Sequence, residues 1–171
     1  VWDSSIVAKI LAKAIQQIPY DIVFCGKQAI DDDSSQIGAR LAALLNISQV
    51  CVINKLEISD DKKTAVAYRM VEGGTEVIET SLPALFTSQK GLNEPRYPTI
   101  SAIMKAKKKE IKHTTLADLG FHQSDVDASG AKLKMIDMEL PVKRQAGKLI
   151  EMTDTAVETL VKLLKEEAKV I

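Results

Sequence analysis

Asp21-Ile22-Val23-Phe24-Cys25, closed by Gly26, is the stretch that decides the fold. A short, nearly continuous apolar run set between two helical patterns predicts a buried parallel strand. Upstream, Ile6, Ile10, Ala14 and Ile18 recur at four-residue spacing, with Val7, Leu11 and Ile15 beside them. That is an amphipathic helix, with Asp3 or Ser4 as its cap and Pro19 just beyond its end. Downstream, the polar connection 26–35 leads into Ile37, Leu41, Leu44 and Leu45, the apolar stripe of a second helix for which Ser34 or Ser35 is the expected cap. Val50-Cys51-Val52-Ile53 predicts another buried strand. Helix, strand, loop, helix, strand is the order of a parallel α/β sheet.

The pattern then changes. Thr64–Val71 and Thr75–Thr80 flank Glu72-Gly73-Gly74, which predicts a β-hairpin with a glycine turn. Pro83-Ala84-Leu85-Phe86-Thr87 reads as one more strand. After a proline- and glycine-bearing loop from Gly91 to Pro98, Ile100, Ile103 and Met104 begin a short helix that runs into Lys105, Lys107, Lys108 and Lys109. Between Thr114 and Lys148 the periodicity is weak, as in an extended arm. Thr155 to Glu158 has capping-box spacing and opens a last helix carrying Val157, Leu160, Val161 and Leu164. The expected organisation is an α/β domain over 1–120 and an arm with a terminal helix over 121–171.

The bulk composition narrows the functions open to such a chain. Its 171 residues, 46% of them hydrophobic, are enough to bury a sizeable core. Lysine plus arginine and aspartate plus glutamate both number 23, so the net charge is zero, against a general nucleic-acid binder. Two cysteines, Cys25 and Cys51, each lie in a short apolar run and read as buried free thiols in a reducing compartment. No metal-ligand spacing accompanies them. No apolar run approaches the roughly 20 residues that span a bilayer, so no membrane insertion is expected. The helical pattern opens almost at Val1, which reads as a chain lacking an earlier portion.

Gly26, Lys27, Gln28, Ala29, Ile30, Asp31, Asp32, Asp33, Ser34, Ser35, Gln36 and Ile37 form the best candidate site. They leave the carboxyl end of a parallel strand and enter a helix amino terminus, where ligands of open α/β sheets bind and unpaired amides favour phosphate. Gly26 permits close backbone approach, and Ser34, Ser35 and Gln36 offer hydrogen bonds to phosphate or ribose oxygens. Three aspartates beside a bare phosphate would repel it, so some must face ribose hydroxyls, a cation or water. A solvated turn with a helix cap explains the same residues equally well. The loop matches neither the dinucleotide glycine fingerprint nor the Walker loop. The lysine run reads as a solvated face or as steering for an acidic partner. His113 and His122 stand alone, and no residues form a catalytic set.

Gly26-Lys27-Gln28-Ala29-Ile30-Asp31-Asp32-Asp33, Leu92-Asn93-Glu94-Pro95-Arg96-Tyr97 and Ile103-Met104-Lys105-Ala106-Lys107-Lys108-Lys109 occur in this order. Together with Glu72-Gly73-Gly74 they resemble the beta subunit of electron transfer flavoproteins. The resemblance implies an adenine-nucleotide-binding, Rossmann-like sandwich whose first strands precede Val1. It implies a non-enzymatic subunit that binds AMP structurally through 26–37, while FAD sits mainly on the alpha subunit. It also implies that Arg96, Tyr97, Pro98, Thr99, Ile100, Ser101, Ala102, Ile103, Met104 and Lys105 form a recognition loop for acyl-CoA dehydrogenases. Ile100 would be its apolar anchor, and Lys105 and Lys108 stand at positions methylated in mitochondrial members. Further implied partners are the alpha subunit, which the terminal helix would contact, and a ubiquinone oxidoreductase. The expected compartment is the mitochondrial matrix, with the bacterial cytoplasm as the alternative. A rival of the same broad fold is an adenylating ATP pyrophosphatase, which would need a serine- and glycine-rich loop not found here.

Overall fold

The computed structural model describes residues 3–127, 129–143 and 146–170. They divide into two compact units, Val1–Lys134 and Met135–Ile171. The stretch 121–134 therefore stays with the first unit.

The first unit is a five-stranded sheet with two helices against it. Helix α1 (Ser4–Ile15) leads to β1 (Ile22–Gly26), α2 (Ile37–Leu45) and β2 (Ser48–Ile58). Strands β3 (Thr64–Val71), β4 (Gly74–Ser81) and β5 (Ala84–Ser88) follow. The spatial order is β1-β5-β2-β3-β4. β5 lies between β1 and β2 and runs parallel to both, whereas β2, β3 and β4 form an antiparallel meander. The parallel α/β half is thus extended by the hairpin, as expected, with α3 (Ile100–Lys107) beyond it.

Burial follows the alternation of strand side chains. Leu85 packs with Ala12 of α1 and Leu41 and Ala42 of α2, and Val23 and Cys25 border that cluster. Phe86, on the other face, packs with Val50, Ile53, Ala65, Ala67 and Ala84. β5 is the most deeply buried strand, with Ala84, Leu85 and Phe86 wholly shielded from solvent. A truncation such as Phe86→Ala costs about 3–5 kcal/mol in a site of this kind.

β2 runs well beyond the Val50–Ile53 core seen in sequence. Its polar second half stays in the sheet because it meets partners there. Lys55 pairs with Glu57 at 2.6 Å and stands over the Tyr68 ring, and the Tyr68 hydroxyl donates to Glu57 at 3.1 Å. The strand is bulged in its middle, where Val52 adopts φ 62° and its amide donates to Thr87 Oγ1 at 2.7 Å. The hairpin turn holds Gly73 at φ 82°, a conformation that costs a glycine little. Arg69 faces Glu76 across it with a 2.5 Å contact.

Asp3 caps α1, its Oδ1 accepting from the amides of Ser5 (3.1 Å) and Ile6 (2.9 Å). The other expected caps are corrected. Gln36 is the N-cap of α2, and no side chain caps that helix. Ser35 is turned into the left-handed region at φ 55°, and its hydroxyl donates to Gln28 Oε1 instead. Thr155 precedes α4 (Ala156–Lys162) without a side-chain cap bond, so the spacing there does not close a capping box. Neither thiol is fully buried: Cys25 and Cys51 are both partly buried. Cys25 lies on the edge strand β1, and Cys51 lies at the β2 bulge.

The second unit has little core of its own. The described residues between Met135 and α4 form no helix or strand, and α4 continues into a π turn, Leu163–Glu167. Lys148 pairs with Glu167 within this unit. No helix among the described residues is long and apolar enough to cross a membrane.

Candidate functional site

The loop between β1 and α2 encloses a cavity of about 300 Å³ at the carboxyl end of β1, at the lower end of the usual range for ligand pockets. Gly26, Lys27, Gln28, Ala29, Asp32, Ser34, Ser35, Gln36 and Ile37 line it, joined by Cys25 and Gly38. Cys25 and Gly38 escaped the sequence analysis because they lie inside the flanking strand and helix. Ile30, Asp31 and Asp33 belong to the same loop but do not line the cavity, and Ile30 is 98% exposed.

The acidic triplet is engaged within the loop. Asp31 Oδ1 accepts from the Asp32 amide at 3.0 Å, and Asp33 Oδ1 accepts from Gln28 Nε2 at 2.7 Å. Asp32 accepts from the amide and hydroxyl of Ser34 at 3.1 and 3.0 Å. These short-range bonds hold the tight turn, with Asp33 also in the left-handed region at φ 50°. Gln28 acts as the staple, reaching both Asp33 and Ser35.

What remains free for a ligand is the amino terminus of α2. Gln36 Oε1 is turned away from the helix amides, accepting from Ser4 Oγ (2.8 Å) and from Arg40 Nε and Nη2 (3.2 and 2.8 Å). The first-turn amides of α2 are therefore without a side-chain cap, beside the Lys27 ammonium and two serine hydroxyls. Uncapped amides beside a cation fit a phosphate-bearing ligand, while both serine hydroxyls already donate within the loop and the three carboxylates already have donors. Gly38 lets α2 approach the sheet: a Cβ there would lie 2.5 Å from Thr87 Cγ2. The Cys25 thiol in the cavity floor has its pKa raised, first by burial and then by the nearby Cys51.

The stretch 96–105 is built in the opposite sense. Thr99 caps α3, its Oγ1 accepting from the Ala102 amide at 3.3 Å. No residue of α3 is buried. Tyr97 is 96% exposed and Ile100 82%, and Ile103 and Met104 are also open to solvent. Lys105 and Lys107 lie in the last turn, where the helix dipole favours cations. Among the described residues, no group of three or more histidine, cysteine or acidic side chains is arranged to hold a metal ion.

Residues 1–119 match the family model described as the electron transfer flavoprotein domain. The chain belongs to this family. Proteins similar to it over nearly all its length are beta subunits of electron transfer flavoproteins. The one from Bacillus subtilis is 44% identical over 171 residues, covering 99% of this chain and 64% of that protein. The mitochondrial beta subunit of Oryza sativa subsp. japonica is 43% identical over 166 residues, covering 96% and 60%. That of Mus musculus is 40% identical over 164 residues, again covering 96% and 60%. The chain thus spans somewhat over half the length of these relatives.

Proposed function

We propose that this chain serves as the beta subunit of a heterodimeric electron carrier that takes electrons from acyl-CoA dehydrogenases and passes them to a quinone oxidoreductase. It binds AMP as a structural ligand and carries no catalytic residues of its own. The redox chemistry is that of FAD, held mainly by the alpha subunit. The observation that best supports this function is the uncapped amino terminus of α2 beside Lys27, Ser34 and Ser35, in a chain 40–44% identical to named beta subunits.

In this role, Lys27 and the α2 amides hold the AMP phosphate, and Gln28, Ser34 and Ser35 take its remaining polar groups. Residues 96–105 dock the dehydrogenase, with Ile100 entering an apolar pocket and the lysines steering the encounter. Methylation of Lys105 and Lys108 would tune that docking by blocking hydrogen bonds while keeping charge. The division of labour runs from a nucleotide-binding unit that extends to Lys134 to an arm and terminal helix beyond it that pack on the alpha subunit. The compartment is the mitochondrial matrix, or the cytoplasm if the source is bacterial.

Isothermal titration of the chain with AMP tests the nucleotide assignment directly. Saturable binding that is lost in the double variant Lys27→Ala/Ser34→Ala supports it. Binding unchanged by those substitutions would place the nucleotide elsewhere.

A further inference from the structure

Residues 114–127 and 129–133 form a strap that is tied to the two ends of α1. Near the carboxyl end of the helix, Gln17 Nε2 donates to the Asp118 carbonyl at 3.4 Å. At the amino end, Asp3 Oδ2 accepts from the amides of Lys132 and Leu133 at 2.5 and 3.0 Å. Between the two ties Val126 is buried, so the strap has an apolar seat as well as polar ends.

Asp3 therefore divides its carboxylate between two tasks. Oδ1 caps α1 and accepts from the Ser5 hydroxyl at 2.7 Å, while Oδ2 holds a backbone 129 and 130 residues away in sequence. The bonds from Ile6, Ser5, Lys132 and Leu133 lower its pKa well below the ordinary carboxylate range. The first compact unit ends at Lys134, one residue past this contact. Beyond it Ile136, Met138, Leu140 and Val142 alternate along a stretch that forms no helix or strand; three of them are almost wholly exposed and Met138 is 77% exposed. A period of two places four apolar side chains on one edge once the segment is extended against a partner, with Asp137 and Glu139 between them in sequence.

A flexible segment that must be captured by a partner loses affinity to its own ordering, and fixing one end reduces that loss. We propose that Asp3 is a positioning residue for subunit assembly: its Oδ2 fixes the point at which the arm leaves the first unit and so raises the affinity of the 136–142 ridge for the alpha subunit. The inference rests on the proposed role of the arm.

Asp3→Ser separates the two tasks, because serine caps a helix about as well as aspartate but its single hydroxyl cannot also reach the strap. In the variant, amide exchange at Lys132 and Leu133 should speed up by about tenfold or more while the exchange of α1 stays as in the parent chain. The dissociation constant for the alpha subunit, measured by titration calorimetry, should rise by about three- to tenfold. Asp3→Ala, which removes the cap as well, should loosen α1 in addition. Unchanged exchange at Lys132 and Leu133, or faster exchange with unchanged affinity, would overturn the proposal. A parent chain that does not bind the alpha subunit overturns the subunit role itself, a failure distinct from equal affinities in parent and variant.

Discussion

The loop after β1 and the helix α3 are both largely exposed, yet the chain builds them in opposite ways. The loop closes on itself: Gln28 ties Asp33 and Ser35, Ser34 ties Asp32, and a concave cavity is left against α2. Helix α3 presents Ile100, Ile103 and Met104 outward without a covering layer among the described residues. A small ligand needs convergent donors held in advance, and the uncapped amides of α2 beside Lys27 are arranged that way. A large partner needs an apolar anchor with a charged surround, and α3 offers that at no cost to the core. The difference teaches that the two regions should fail separately.

The strongest way to break the comparison is to damage the concave region through its support. Gly38→Val drives a side chain into Thr87 Cγ2, and Thr87 cannot yield because its Oγ1 holds the Val52 amide. The variant should lose about 1–3 kcal/mol in urea unfolding. It should also bind AMP at least about tenfold more weakly in calorimetry, a difference of roughly 1.4 kcal/mol. Its α3 should keep the exchange pattern of the parent chain.

The converse test is Ile100→Ala. Stability should change by less than about 0.5 kcal/mol, because the side chain touches no core. Electron transfer from an acyl-CoA dehydrogenase, measured as kcat/KM with the assembled heterodimer, should fall about tenfold. Unchanged transfer from every dehydrogenase tried would remove Ile100 from the anchor role.

Smaller effects sharpen the contrast. Raising the ionic strength from about 0.05 to about 0.3 M should slow the dehydrogenase encounter several-fold, as expected for lysine steering, with little change in melting temperature. At the concave region, burial raises the Cys25 pKa, so its thiolate fraction is small at neutral pH and grows only in the alkaline range. Alkylation by iodoacetamide should therefore be slower than for a free cysteine peptide, should rise with pH, and should slow about two- to fivefold further when AMP is bound. Mass spectrometry of the modified peptide reads each of these.

How much of this was legible in the sequence depends on how local the cause is. The Gly73 hairpin and the existence of the β1 strand could be read because their signals lie within a few residues. The expected burial of β1 is corrected: it is an edge strand, and Phe24 is 54% exposed. The α2 cap was misread: Ser34 and Ser35 stand where caps stand, but both hydroxyls are used inside the loop. The second half of β2 reads as polar because its partner Tyr68 lies on another strand. The triplet's aspartates could be suspected of repelling phosphate, but which donors engage them needed coordinates. Nothing in the local pattern joins Asp3 to Lys132, since that bond depends on the strap returning across α1.

The most direct test of the central claim is native mass spectrometry of the subunit at its full cellular length, mixed with an alpha subunit and FAD and dialysed extensively. The account predicts a heterodimer that retains one FAD and one AMP. A chain that ignores the alpha subunit and instead hydrolyses or transfers ATP would contradict it and turn the loop after β1 into an enzyme's site.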